Sequence, residues 1–284
     1  MNSSRLETVA CPYCGSAKHR DWAVELGFTT VRCQDCRFLY CNPRPASALI
    51  DEAVRTGTHG AEAGGLNVVT RRIASKVTQY RRLFGQMFGD VWIAGKPITW
   101  LDIGSGFGEV MEAVGAVAPP GSKVFGLEPM QPKAEQARIR GLSVTQDYLS
   151  PNHQKVAFVS LVDVFSHIPD FGKFLIGVKE VLLPGGEIFV ETGNLADLDV
   201  RDEFPGELGL PDHLVFGGEE HLIGFLSRAG FEIVQINRVR IDGIINLGKN
   251  VVRKLIGRSV LFRVPYTSRY RQLQIRARLA AKTA

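Results

Sequence analysis

The stretch Trp100-Leu-Asp-Ile-Gly-Ser-Gly-Phe-Gly-Glu-Val110 sets a short apolar run against a turn with glycine at 104, 106 and 108. An apolar run that ends in such a turn and passes into a helical pattern reads as strand, tight loop and helix, the unit of open α/β sheets. Loops of this shape hold phosphates, dinucleotides or nucleosides, so the surrounding residues must decide between them. A dinucleotide fingerprint requires glycine where Glu109 stands, and a carboxylate in the first helical turn repels a pyrophosphate that needs the same amides. A phosphate loop closing in Gly-Lys-Ser/Thr is absent. A ligand without phosphates suits the site better: Asp102 can orient the loop or receive a cationic amino group, and Glu128, closing the next apolar run, can accept two ribose hydroxyls.

Outward from this loop the periodicity alternates between two and three-to-four. Residues 98–103 read as a buried strand, 108–118 as a helix, 123–129 as a strand, 132–141 as a helix and 155–163 as a central strand. A helix over 171–182, a strand over 186–192, a late helix over 217–230 and a closing strand over 231–239 follow. The repeat predicts a doubly wound α/β sheet, and the polar insertion at 194–216 falls near the carboxyl ends of the strands, where such sheets place ligands. Upstream, 41–54 reads as an extended exit followed by a short helix, 55–65 as a Gly-rich break, and 66–88 as an amphipathic helix able to form a lid.

Together, WLDIGSGFG, VFGLEP, VSLVDVFSHIPDF, EVLLPGGEIFVET and LIGFLSRAGFEIV resemble, in order, the motifs of the class I S-adenosylmethionine-dependent methyltransferases, over about residues 68–240. The resemblance implies a seven-stranded, mostly parallel sheet with an antiparallel last strand. It also implies S-adenosyl-L-methionine as methyl donor, with Asp102, Gly104, Gly106 and Gly108 on the methionine side and Glu128 on the ribose. Met130 would lie over the adenine, with core filler as its competing role, and Asp147 would read the adenine amino group, with a merely solvated surface role as the alternative. Leu161 to Asp163 would form the wall beneath the methyl. The sequence departs from the family at Ala157, where an Asp is usual, and at Ser166, where many relatives carry Glu.

All five cysteines fall within the first 41 residues. Cys11 and Cys14, then Cys33 and Cys36, form two CxxC pairs, a spacing that lets four thiolates surround one structural zinc ion. Residues 1–45 are therefore expected to form a zinc-ribbon-like module. A redox pair is the competing reading, weakened by the matched second pair. Cys41 is expected to pack as a small hydrophobe, and His19 is a substitute ligand candidate.

The 284 residues carry 45% hydrophobic and 22% charged side chains, a composition that does not suggest disorder. Without a signal-like start or a long uncharged apolar run, a cytoplasmic location is expected. The net charge of +5 is unevenly placed: residues 243–284 hold ten Lys or Arg and no acid. This basic C-terminal extension invites contact with an anionic membrane surface, a phosphate-bearing substrate or a second copy, or forms a terminal helix with a solvated basic face. The expected division is thus 1–45, a helical linker and lid over 46–95, a methyltransferase core over 96–242, and the extension.

Methyl transfer is a direct displacement in which positioning dominates, and an oxygen acceptor gains from losing its proton during attack. Histidine suits that task near neutral pH. His167, just past the fourth strand, and His213, with Asp212 able to orient it, are the catalytic candidates, each weighed against a loop-shaping role. His221 on the late helix, His59 in the Gly-rich break and His153 in a turn rank lower, while Glu191 and Asn194 are candidate polar groups of the pocket. The expected acceptor is a small molecule, sugar- or phosphate-bearing, methylated on oxygen in a saccharide or specialised metabolite. Carbon or nitrogen transfer, an RNA or protein acceptor, and a non-catalytic scaffold are the alternatives; nucleic acid is disfavoured because no aromatic and basic cluster flanks the methyl site.

Overall fold

The computed structural model describes residues 5–204, 206–240, 255 and 268–280. The chain opens with β1 (Leu6–Glu7), β2 (His19–Glu25), β3 (Phe28–Cys33), β4 (Leu39–Cys41) and β5 (Arg44–Pro45), and continues through α1 (Ser47–Thr56), α2 (Ala74–Met87) and α3 (Gly89–Ile93). Alternation then sets in with β6 (Thr99–Ile103), α4 (Glu109–Gly115), β7 (Lys123–Leu127), α5 (Gln131–Ile139), β8 (Val144–Thr145) and β9 (Val156–Val162). It ends with α6 (Phe171–Val181), β10 (Leu182–Gly193), β11 (Val215–Phe216), α7 (Glu219–Arg228), β12 (Phe231–Val239) and β13 (Gln272–Leu279).

Seven strands form the main sheet in the order β12-β13-β10-β9-β6-β7-β8. Strands β6 to β10 run parallel, and β13 lies antiparallel between β10 and β12. Helices cover both faces, so successive strand residues feed two cores rather than one core and solvent. On one face Trp100, Phe158 and Phe189 meet Phe84 and Phe88 of α2, with the Trp100 ring centroid 5.0 Å from Phe88 and 5.3 Å from both Phe84 and Phe158. On the other, Leu101, Val159, Ile188 and Ile275 pack against Leu175 and Val178 of α6 and Phe225 of α7. Each such fully buried side chain contributes about 1.5–3 kcal/mol, which is why the apolar alternation specifies the register.

The end of the chain differs from the expectation of a core stopping at 242 with a basic extension beyond it. Residues 272–279 are the seventh strand, inserted within the sheet. Its alternation explains the placement: Leu273, Ile275 and Ala277 enter the apolar core, while Gln274 and Arg276 face buried carboxylates on β10. Arg276, 3% exposed, holds Glu187 at 2.5 Å and Asp90 at 2.6 Å. Arg278 reaches the second Glu187 oxygen at 2.6 Å, and Arg269 pairs with Asp199 and Glu203. Part of the basic character is thus paired with acids of the folded protein, buried at Arg276 and exposed at Arg269 and Arg278. Six of the ten basic positions of the extension, and with them the membrane or self-association contact expected there, lie outside the described residues. Among the described residues no helix is long and apolar enough to cross a membrane.

The cysteine-bearing strands do not stand apart. Their sheet runs β11-β4-β3-β2, and its β11 comes from the late insertion, with Val215 opposite Tyr40 and Phe216 opposite Leu39. A shared core of Phe28, Leu39, Leu198, Leu208, Leu210 and Phe216 seals the two segments together.

Candidate active site

A cavity of about 440 Å³ opens at the carboxyl ends of β6, β7 and β9, where the strand order reverses. Its floor is the loop after β6. Gly104, Gly106 and Gly108 adopt φ of 69°, 54° and 86°, a region that L side chains rarely enter. A Cβ on Gly104 would strike Val164 and one on Gly108 would strike Leu142, whereas one at Gly106 would meet open space, so the backbone there stands bare beside the cavity. Gly108 is not in the lining. It caps the start of α4, where a side chain would strike Leu142, and so shapes the loop.

The two expected carboxylates do reach the cavity. Glu128, 6% exposed, accepts the Gly106 N–H at 2.7 Å with one oxygen and the Met130 N–H at 2.9 Å with the other. Each oxygen keeps a lone pair for a ligand. Burial raises the Glu128 carboxyl above its ordinary value against the pull of those amides. Asp102 ends a buried chain in which Trp100 Nε1–H donates to Ser160 Oγ at 2.8 Å, and Ser160 O–H donates to Asp102 at 2.6 Å. Burial carries the Asp102 carboxyl up to about 7, offset by the Ser160 bond and reinforced by nearby Glu128. Met130, Asp147 and Asp163 also line the cavity. Asp163, at φ 57° just past β9, faces Lys76 of α2 at 3.7 Å.

Residues 57–73 and the start of α2 form the opposite wall, contributing Val68, Thr70, Ile73, Lys76 and Tyr80. Glu109, the residue that argues against a pyrophosphate, accepts the Ile73 N–H at 2.9 Å and so fastens this segment to the glycine loop.

His167 lines the cavity and His213 stands behind it, their rings 4.7 Å apart and nearly perpendicular. The pairing with Asp212 is not the expected one. His167 Nδ1 lies 3.0 Å from the Asp212 carbonyl and 3.6 Å from its carboxylate, and the buried His59 Nε2 lies 3.4 Å from the other carboxylate oxygen. His213 instead directs Nδ1 to the Leu208 carbonyl at 2.6 Å. A carbonyl only accepts, so His167 carries its proton on Nδ1 and leaves Nε2 able to take another. Burial alone would lower the His167 pKa, but contact with Asp212 outweighs it and the net shift is upward. His213 is lowered by burial and by His167. Burial pushes the Asp212 carboxyl up, but His167 and His59 outweigh it and hold the group well below the usual carboxylate range.

Glu191 and Asn194 are not in the cavity wall. Glu191 is buried in the sheet against Gln274 at 2.7 Å, and Asn194 accepts the Arg271 N–H at 2.7 Å, tying down the approach to β13. His153 closes a local turn with Ser150. His59 was legible only as a residue of the Gly-rich break, because its meeting with Asp212 spans 153 positions of sequence.

In the amino-terminal module the sulfur atoms of Cys11, Cys14, Cys33 and Cys36 all lie within 4.8 Å of one another, with Cys11 to Cys36 at 3.5 Å and Cys14 to Cys33 at 3.6 Å. A tetrahedron with metal–sulfur bonds of about 2.3 Å has edges of about 3.8 Å, close to the two shorter separations. They are too long for a disulfide. Cys41 is buried away from the cluster, and His19 bonds the Ala17 carbonyl instead of joining it. His221 docks the module: Nδ1 accepts the Gly218 N–H at 3.1 Å, so Nε2–H donates to the Cys36 carbonyl at 2.8 Å.

The model of a family described as a methyltransferase domain matches residues 72–236. No curated protein matches. Among solved structures, a protein from Galdieria sulphuraria assigned as a sarcosine dimethylglycine methyltransferase superposes with a TM-score of 0.54 at 15% identity, covering 72% of this chain and 86% of that one. An S-adenosylmethionine-dependent methyltransferase from Mesorhizobium loti gives 0.48 at 16% identity, covering 69% and 99%. Magnesium protoporphyrin IX methyltransferase from Synechocystis PCC 6803 gives 0.46 at 13%, covering 73% and 84%. At these identities the likeness is one of fold.

Proposed function

Because this chain belongs to the methyltransferase domain family and is an S-adenosylmethionine-dependent enzyme, we propose that it methylates an oxygen of a small molecule, a saccharide or specialised metabolite, with His167 as the base. The donor fits the residues present: bare backbone at Gly106, free lone pairs on Glu128 for two ribose hydroxyls, and a buried carboxyl at Asp102 for an ammonium group. Met130 and Asp147 are the groups for the adenine. Bound there, the donor supplies an electrophilic methyl carbon on a positively charged sulfur.

The observation that carries the acceptor reading is the His59–Asp212–His167 array on the cavity wall. Asp212 fixes the His167 tautomer and favours the imidazolium that forms. As the acceptor oxygen attacks, its hydroxyl proton passes to Nε2, and no other group need take it. A base of this kind contributes about 10²–10⁴ in rate. A cavity walled on both sides, with a histidine in its lining, suits a small hydroxylated acceptor better than an RNA strand, which needs an open basic trough.

The test is turnover against a panel of hydroxylated sugars and metabolites beside calorimetry with S-adenosylhomocysteine. His167→Ala is expected to lose about 10²–10⁴ in kcat with product affinity kept, and Asp212→Asn, which retains the carbonyl that sets the tautomer, a smaller part of that. The wild-type rate should rise with pH through an ionisation above the ordinary histidine value, since Asp212 raises His167, and this limb should move to lower pH in Asp212→Asn. Unchanged turnover in both variants would overturn the role.

For the four cysteines we infer a structural zinc ion. Four thiolates fill a tetrahedron and leave no open position, so the metal would hold the module together and take no part in the chemistry.

A further inference from the structure

A second cavity, of about 190 Å³, opens on the cysteine-bearing sheet and is walled by Arg20, Arg32, Cys33, Gln34 and Arg37. Three features of this cluster are costly unless something fills it. Arg20 and Arg32 sit directly opposite each other across β2 and β3, an arrangement that like charges disfavour. Arg32 is 2% exposed; its two terminal nitrogens donate to the carbonyls of Ala196 and Leu198, and its Nε, also buried, has no partner. Arg37 adopts φ 68°, a left-handed conformation that favours glycine. The matching position after the first CxxC pair is held by Gly15 at φ 77°, so the second turn places an arginine where the first uses the residue without strain.

The surrounding acids, Asp197 and Asp199, offset the positive charge of the cluster only in part. Asp199 meets Arg37 at 2.7 Å but is shared with Arg269, and among the described residues Arg20 has no carboxylate partner. Arg20 and Arg37 can present N–H groups to a compact tetrahedral oxyanion, while Arg32, its terminal nitrogens held by two carbonyls, adds its buried positive charge beside them.

We propose that Arg20, Arg32 and Arg37 form a binding site for a phosphoryl group, separate from the methyl-transfer cavity. The group is either borne by a nucleoside-diphosphate-like ligand or is free phosphate. Binding is independent of methyl transfer, so its measurement stands apart from the acceptor reading.

The experiment titrates the full chain with orthophosphate and, separately, with uridine diphosphate, by calorimetry at low ionic strength. Saturable binding is expected, weakened roughly tenfold or more in Arg20→Glu and in Arg37→Gly. Arg37→Gly relieves the left-handed backbone, so its Tm should stay or rise while binding falls, an outcome that a purely structural arginine would not give. S-Adenosylhomocysteine affinity, kept in both variants, shows that the fold is intact. Diphosphate binding more tightly than orthophosphate supports a ligand-borne phosphoryl group; equal affinities support the free anion. No saturable binding of either probe, or equal binding by wild type and both variants, overturns the site.

Discussion

Asp102 shows how a single residue can be legible in kind and not in state. Its place before the glycine turn marks it as a ligand-side acid, but its carboxyl rises to about 7 only because the fold buries it beside Glu128 with one hydrogen bond from Ser160. Glu191 also rises to about 7, from burial and from Asp163. Both acids bind protons more readily folded than unfolded, so each adds stability that is full below the unfolded value of about 4 and is lost as pH rises through about 7. The ligand-free Tm should therefore depend less steeply on pH over that interval in Asp102→Asn and Glu191→Gln than in wild type. Scanning calorimetry at stepped pH reads this difference directly, and identical slopes would refute it. His59 and Asp212 are the opposite case: neither sits in a motif, and only the return of a distant loop makes them partners.

Among the elements, β13 departs most from what its sequence suggested. The run Gln272–Leu279 alternates as a strand should, but its arginines read as part of a basic tail, since their partners Glu187 and Asp90 lie at least 89 positions away. Arg276 stacks over Phe88 at 4.5 Å and closes a buried ion pair with Glu187. Removing Arg276 leaves the buried Glu187 carboxylate with Arg278 alone, and removing Glu187 leaves Arg276 with Asp90 alone, so Arg276→Ala and Glu187→Ala should each cost about 3 kcal/mol, the low end for a broken buried pair. Urea unfolding of both variants and of the double variant checks it. The double variant should be less destabilised than the sum of the singles, because it leaves no uncompensated partner. Removal of the strand altogether would bare the edges of both β10 and β12, and insoluble protein is the expected result.

At the scale of the whole molecule, the cysteine module and the methyl-transfer core behave as one body. Strand β11 leaves Asp212 and His213 to pair with β4, His221 bonds the Cys36 carbonyl, and Arg228 stacks on Tyr13 at 4.0 Å. If zinc holds the four thiols, Cys14→Ser and Cys36→Ser should lower a metal content near one per chain, measured by emission spectrometry. The same variants should bring unfolding of the entire chain to lower temperature in a single transition, with acceptor turnover failing before donor affinity, because the acceptor-side turn hangs on this sheet. Full metal retention in both would sink the site. The sequence by itself determined the class of fold, the alternation of the main strands and helices from β6 to β12, the short β8 apart, the glycine turn with its two acids, and the grouping of four cysteines. These are local properties: period, spacing and turn chemistry act over a few residues and survive without knowledge of the rest. Only the tertiary structure decided that Asp212 serves His167 and His59 in place of His213, that the last strand lies within the sheet, and that the first module shares its sheet with the late insertion. Each of these joins segments dozens to nearly two hundred residues apart, and such pairings are chosen by burial and charge compensation over the folded whole, for which no short stretch carries a signal.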